Sequence, residues 1–141
     1  MNDITALSRV YVDTNIFVYF IEGSEKFFSR VEKLFEHIGV VGAQIVTSEI
    51  TVAECVYKPS QQQHQKLIAI YEELFEKSGT IELFALGGQL TKQAAIHGSQ
   101  LGLKLIDAIH YESALQAGCD FFVSADMRFK SGPKMRVLHF S

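Results

Sequence analysis

Four acidic residues are spaced along this chain so that a fold could gather them: Asp13, Glu54, Asp107 and Asp126. Carboxylates brought close together repel, and they ionise together only when cations intervene. Hard oxygen donors with no accompanying Cys or paired His suit Mg²⁺ or Mn²⁺ rather than Zn²⁺. The chemistry that uses such a site is phosphodiester hydrolysis, in which the cations activate the attacking water and stabilise the leaving oxygen. No Lys or Arg is obviously placed to neutralise the four.

Each acid alone has an ordinary explanation. Asp13 ends the β-branched and aromatic run Arg9–Val12, and Asp126 follows Phe121–Ser124 in Val-Ser-Ala-Asp, so either is a fitting helix cap or turn residue. Glu54 shares a helical face with Ile50, Ala53 and Tyr57. If that face is inward, its carboxylate must protonate, pair or bind metal. Asp107 lies in register with Leu103, Tyr111 and Ala114, again an inward stripe, although an acid in a first helical turn also complements the helix dipole.

The elements that must position these acids follow from periodicity. Arg9–Val12 reads as a strand running into a helix from Ile16, and Phe28–Ile38 as a second helix broken by Gly39 and Gly42. Gln44–Thr47 is a strand, with Ser48 capping a helix to about Tyr57 that Pro59 ends. Gln61–Lys77 reads as one amphipathic helix, Ile81–Leu86 as a strand, Gln89–Leu101 and Leu105–Ala117 as helices, and Phe121–Ser124 and Arg136–Phe140 as strands. Alternating strands and helices predict an α/β fold, a three-layer α/β/α sandwich around a mainly parallel five-stranded sheet, since parallel strands need crossovers. In such folds ligands bind beyond the carboxyl ends of the strands, where Asp13 and Asp126 would project.

A chain of 141 residues with no repeat or Pro/Gly linker is expected to form a single domain over residues 1–141. Its 48% hydrophobic content and eleven Phe supply one core. The apolar run Ile16–Ile21 is far short of the roughly 20 residues needed to cross a bilayer, so no membrane association and a cytoplasmic location are expected. Cys55 and Cys119, without Cys-x-x-Cys spacing, read as buried reduced thiols. A net charge of −3 gives no global attraction for a polyanion, but cations bound at four acids would cancel the local charge.

The segments Tyr-Val-Asp13-Thr14-Asn15-Ile-Phe, Thr-Ser-Glu-Ile-Thr-Val-Ala-Glu54, Leu-Ile-Asp107-Ala-Ile-His and Val-Ser124-Ala-Asp126-Met-Arg-Phe129 occur in the order of a PIN-domain ribonuclease. The chain resembles that family over nearly its whole length. The resemblance implies a PIN-like nuclease domain, Mg²⁺ or Mn²⁺ dependence and an RNA substrate. It also implies Asp13, Asp107 and Asp126 as metal ligands, with Glu54 completing the cluster as a ligand or by orienting the attacking water. Thr14, Asn15 and Ser124 would hold those carboxylates in place. Compact members are often VapC-type toxins of toxin–antitoxin systems, which implies a cognate antitoxin and a homodimer. About nine residues precede the first strand, where many such toxins begin almost at it, and Arg128 stands where members often carry another acid.

Beyond the acids, the tail from Met127 to Ser141 contains Arg128, Lys130, Lys134 and Arg136 and no acid, and Arg128 and Lys130 are candidates for holding RNA phosphates. Phe17, Phe20, Phe27, Phe28 and Phe35 are candidates for core packing or for a groove that takes an antitoxin or a second subunit. His97 and His110 read as surface or satisfied core residues. A phosphoacceptor or phosphatase-like α/β domain is disfavoured because Asp13-Thr14-Asn15 lacks an Asp-x-Asp start. A non-toxin RNA-processing nuclease and a non-catalytic RNA-binding or scaffolding domain are the alternatives within the family.

Overall fold

Short apolar runs form the strands, and the amphipathic segments between them form the helices. In chain order these are β1 (Arg9–Val12), α1 (Thr14–Glu22), α2 (Phe28–Val41), β2 (Gln44–Ser48), α3 (Glu49–Gln61), α4 (Gln65–Glu72), β3 (Ile81–Phe84), α5 (Gly88–Gln100), α6 (Leu105–Gln116), β4 (Phe121–Ser124) and β5 (Arg136–His139). The computed structural model describes residues 3–140; Met1, Asn2 and Ser141, which the expected domain and basic tail include, lie outside the described residues. No helix among the described residues is long and apolar enough to cross a membrane.

The five strands form one sheet in the order β3-β2-β1-β4-β5, and every pairing is parallel. The expected α/β sandwich is therefore present. Successive side chains of a strand point to opposite faces, and β1 shows what that builds. Val10 and Val12, with Phe121 and Val123 of β4, pack against Ile16, Phe17, Val31, Leu34 and Ile38 of α1 and α2 and Cys55 of α3. Tyr11, with Phe122 and Val137, faces Tyr111 and Ala114 of α6. Tyr11 and Phe122 stack with ring centroids 5.1 Å apart. The strand order reverses at β1, which lies between β2 and β4, and a parallel sheet opens a crevice at such a point.

Several element bounds differ from the expectation. Gly39 lies inside α2, and only Gly42, with φ 78°, ends that helix. Pro59 sits in the last turn of α3, which continues to Gln61. The segment expected as one helix over Gln61–Lys77 is split by a turn in which Gln63 takes φ 54°; α4 then begins at Gln65 and closes in a π-helical turn, Glu73–Lys77. β3 stops at Phe84, and the backbone N–H of Leu86 donates to Glu49 at 2.8 Å instead of continuing the ladder. Cys55 and Cys119 are free and buried, and burial pushes the Cys119 thiol up to about 12.

α6 carries Asp107 and is buried through the seven residues Ala108–Ala114, because the sheet covers one side and α5 another. Gly98 lets α5 approach this closely: a Cβ built there would stand 2.2 Å from the Cβ of Ala108. Relief requires α5 and α6 to move apart. Gly98→Ala is expected to destabilise the protein by about 1–3 kcal/mol, as overpacked cores do. Urea unfolding should show a lowered midpoint with an unchanged m-value, and an unchanged midpoint would mean that α5 shifts freely.

Candidate active site

The carboxyl ends of β1 and β4 meet in the crevice between them. Asp13 caps α1: its Oδ1 accepts the backbone N–H of Thr14 at 2.8 Å, and its own N–H donates to the Val123 carbonyl at 3.0 Å. Asp13 Oδ2 accepts the Ser124 hydroxyl at 2.7 Å, and Ser124 Oγ in turn accepts the N–H of Asp126 at 2.9 Å. One buried hydroxyl thus ties the residue after β1 to the loop after β4.

Asp107 enters from the first turn of α6, in register with the buried Tyr111 and Ala114. Burial lifts its carboxyl above the ordinary aspartate range; Arg128 opposes this, and the negative charges of Asp126 and Asp13 add to it. Three acids from three elements therefore feel one another.

Glu54 reaches the cluster differently from the expectation. The buried stripe of α3 is Thr51, Cys55 and Pro59, not the face of Ala53 and Tyr57, and Tyr57 is two-thirds exposed. Glu54 stands at the rim with its side chain 37% accessible. It is held there by the Thr14 hydroxyl, which donates to Oε1 at 2.7 Å, and by His110 Nε2 at 2.6 Å. Because a carboxylate only accepts, that imidazole nitrogen carries the proton. His110 is buried, with Nε2 3.7 Å from Asp13 Oδ1 and Nδ1 2.8 Å from the Tyr11 hydroxyl, which itself lies 3.0 Å from Ser48 Oγ. His110 and Tyr11 are the site residues that the sequence reading missed. The available signal was spacing, since His110 lies one turn beyond Asp107 on the inward side of α6.

A cation does pair with two of the acids, contrary to expectation. The Asp126 side chain accepts the backbone N–H of Arg128 at 2.9 Å, and the turn so formed folds Arg128 back over the crevice. Its Nε donates to Asp126 Oδ1 at 3.0 Å, and Nη2 lies 2.5 Å from Asp126 Oδ2 and 3.2 Å from Asp107 Oδ2. These bonds hold the Asp126 carboxyl below its usual range.

Among the other candidates, Asn15 is exposed on α1 outside this network, and Lys130 is exposed beside Arg128, where its carbonyl accepts the Tyr111 hydroxyl at 3.0 Å. Arg136 pairs with Asp3, and His97 with Glu112. A cavity of about 450 Å³ is lined by residues such as His97, Glu112, Lys134 and Met135 and by none of the four acids. Of the four acids, Glu54 lines an open depression with Ala53 and Tyr57, Asp13 is buried, and Asp107 and Asp126 are partly buried. Phe17, Phe20 and Phe35, with Ile45, Leu74 and Ile81, leave a separate apolar groove of about 160 Å³.

In kind, the oxygen donors of Asp13, Glu54, Asp107 and Asp126 fit a hard divalent cation. As placed, no three acids, histidines or cysteines among the described residues are grouped to hold one ion. Arg128 occupies oxygens of Asp107 and Asp126, and His110 and Thr14 occupy one of Glu54. An ion on those oxygens would compete with these bonds.

The model of the PIN domain matches residues 10–134. No curated protein matches the chain by sequence. Among solved structures, the chain is similar to VapBC2 of Rickettsia felis bound to a promoter DNA fragment, at 20% identity and a TM-score of 0.64, over 94% of this chain and 99% of that one. It is similar to VapC20 of Mycobacterium tuberculosis, described as a toxin that cleaves the sarcin–ricin loop, at 12% identity and a TM-score of 0.67, over 80% and 86% of the two chains. It is also similar to FitAcB of Neisseria gonorrhoeae, at 17% identity and a TM-score of 0.61, over 92% and 96%. At these identities the likeness is one of fold.

Burial raises the Glu54 carboxyl, but the hydrogen bonds from His110 and Thr14 outweigh it, and the net position lies below the ordinary value. A carboxyl with a depressed folded pKa adds stability that is present above its unfolded value near 4.3 and lost as pH falls through the folded value. With the side chain over a third accessible, screening limits the effect to about 1 kcal/mol or less. Urea titrations between pH 5.5 and 3 should therefore show the wild type losing more stability than Glu54→Gln, whose amide still accepts both bonds. Parallel losses would mean that Glu54 gains nothing from His110 and Thr14.

Proposed function

This chain belongs to the PIN-domain family, and from that premise we propose that it is a Mg²⁺- or Mn²⁺-dependent endoribonuclease, the toxin of a toxin–antitoxin pair. The observation that most supports the proposal is that Ser124 links Asp13 to the Asp126 backbone and Arg128 links Asp126 to Asp107, at the carboxyl edge of the sheet where the strand order reverses. In this reading those three acids hold the metal, and Glu54 completes the set as a ligand or by orienting water. The bound cation supplies an activated water and offsets charge on the phosphate. The chain's own groups do the rest. Ser124 and the Thr14 N–H fix the Asp13 carboxylate, Thr14 and His110 fix Glu54, and Asn15 stands on the accessible side of α1.

The open depression beside Glu54 suits a polymeric substrate better than a small molecule, which calls for an enclosed pocket. Arg128 and Lys130, side by side next to Asp126, would hold RNA phosphates. The groove of Phe17, Phe20 and Phe35 supports docking of an antitoxin, and the complexes of the structural relatives favour such a partner. A homodimer, a cytoplasmic location and a single nuclease domain over residues 1–141 belong to the same proposal. The bonding of Arg128 to Asp107 and Asp126 favours a second reading, a non-catalytic RNA-binding PIN domain, because it takes up the oxygens a metal needs.

Cleavage of total RNA separates the two readings. The wild type is expected to cut with Mg²⁺ or Mn²⁺ and to stop in EDTA, with Asp13→Asn slower by roughly 10²-fold or more. Lys130→Glu should raise KM and flatten the salt dependence of cleavage. Cutting without metal, or full activity in Asp13→Asn, would contradict the nuclease reading.

A further inference from the structure

Arg128 is the one site residue whose observed bonds run against the role its charge suggests. A phosphate-binding arginine should face outward, yet its guanidinium spans two carboxylates, with three of their four oxygens within 3.2 Å of its nitrogens. It does so from the surface, with its side chain 52% accessible. Its stem can therefore rotate into solvent without disturbing β4 or α6. We infer that Arg128 is an internal counter-cation that competes with the divalent metal for Asp107 and Asp126 and, once displaced, is released toward the substrate backbone.

The inference rests on the metal-site reading above. A divalent ion and a guanidinium compete for the same carboxylates, since like charges a few ångströms apart repel and each draws on the same oxygen lone pairs. In this inference metal entry weakens the fork to Asp126 and the bond to Asp107 and turns Arg128 outward. The displaced side chain stays tethered two residues from Asp126 and beside Lys130, so two cations then line the rim where a polyanion would lie. Metal binding and polyanion binding then favour each other, because each draws the same equilibrium toward the outward Arg128.

Isothermal titration with Mn²⁺ alone tests this on the full chain without RNA. Arg128→Gln is expected to bind Mn²⁺ roughly two- to fivefold more tightly than the wild type, the size of one exposed forked ion pair. Lys130→Gln removes the same charge close by without touching either acid and should leave the affinity nearly unchanged. During titration of the wild type with Mg²⁺, the Arg128 Nε–H signal should move toward that of a solvated arginine. Equal affinities for wild type and Arg128→Gln, or an equal gain in Lys130→Gln, would overturn the competition while leaving the metal site standing. If neither the wild type nor Arg128→Gln binds Mn²⁺, both the metal-site reading and this inference fall.

Discussion

Like charge in a confined place is the constraint to which much of this structure answers. A parallel sheet whose strand order reverses at β1 leaves a crevice beyond β1 and β4, and three aspartates meet there while a glutamate stands at its rim. Carboxylates so placed either protonate or find compensation. The Asp107 carboxyl is already pushed toward its neutral form by burial and by its acidic neighbours. The cationic Arg128 beside it opposes that shift.

That compensation is divided between the core and the surface. On the inner side, Asp13 is fixed by Ser124 and the Thr14 N–H, and Glu54 is bonded to a buried His110 that reaches Tyr11 in the middle of the sheet. Tyr11 also stacks on Phe122, so the orientation of Glu54 is coupled to side chains of both β1 and β4. Such groups turn little without repacking the core. On the outer side, Arg128 is bonded to Asp126 and Asp107 with half of its side chain exposed. The inner bonds set where the carboxylates sit, and the outer one sets how readily they accept another cation.

The fold was legible because its signals were local and repeated: strands alternated with amphipathic helices, Asp13 directly followed β1, and Asp126 stood two residues past the end of β4. Asp107 was also readable, since Tyr111 and Ala114 do face inward with it. Glu54 was assigned to the cluster for a reason the structure does not support. α3 buries Thr51, Cys55 and Pro59, residues of weak hydrophobic signal, while its larger Tyr57 points to solvent. His110 was discounted because a histidine amid apolar neighbours commonly rests in the core, and its contact with Glu54 depends on how α3 and α6 approach, which no local pattern encodes. Arg128 was seen as a cation but not as the partner of Asp126, because that pairing depends on a turn in which an aspartate accepts the N–H two residues ahead.

The central claim, that Asp13, Asp107 and Asp126 form a divalent metal site at this crevice, is tested most directly by crystals grown with Mn²⁺ and measured at a wavelength where manganese scatters anomalously. The account predicts an anomalous peak about 2.0–2.3 Å from oxygens of these carboxylates, with the Arg128 guanidinium turned away from Asp107. A fully occupied peak elsewhere, or none at the crevice with Arg128 still bridging Asp107 and Asp126 at millimolar Mn²⁺, would contradict it.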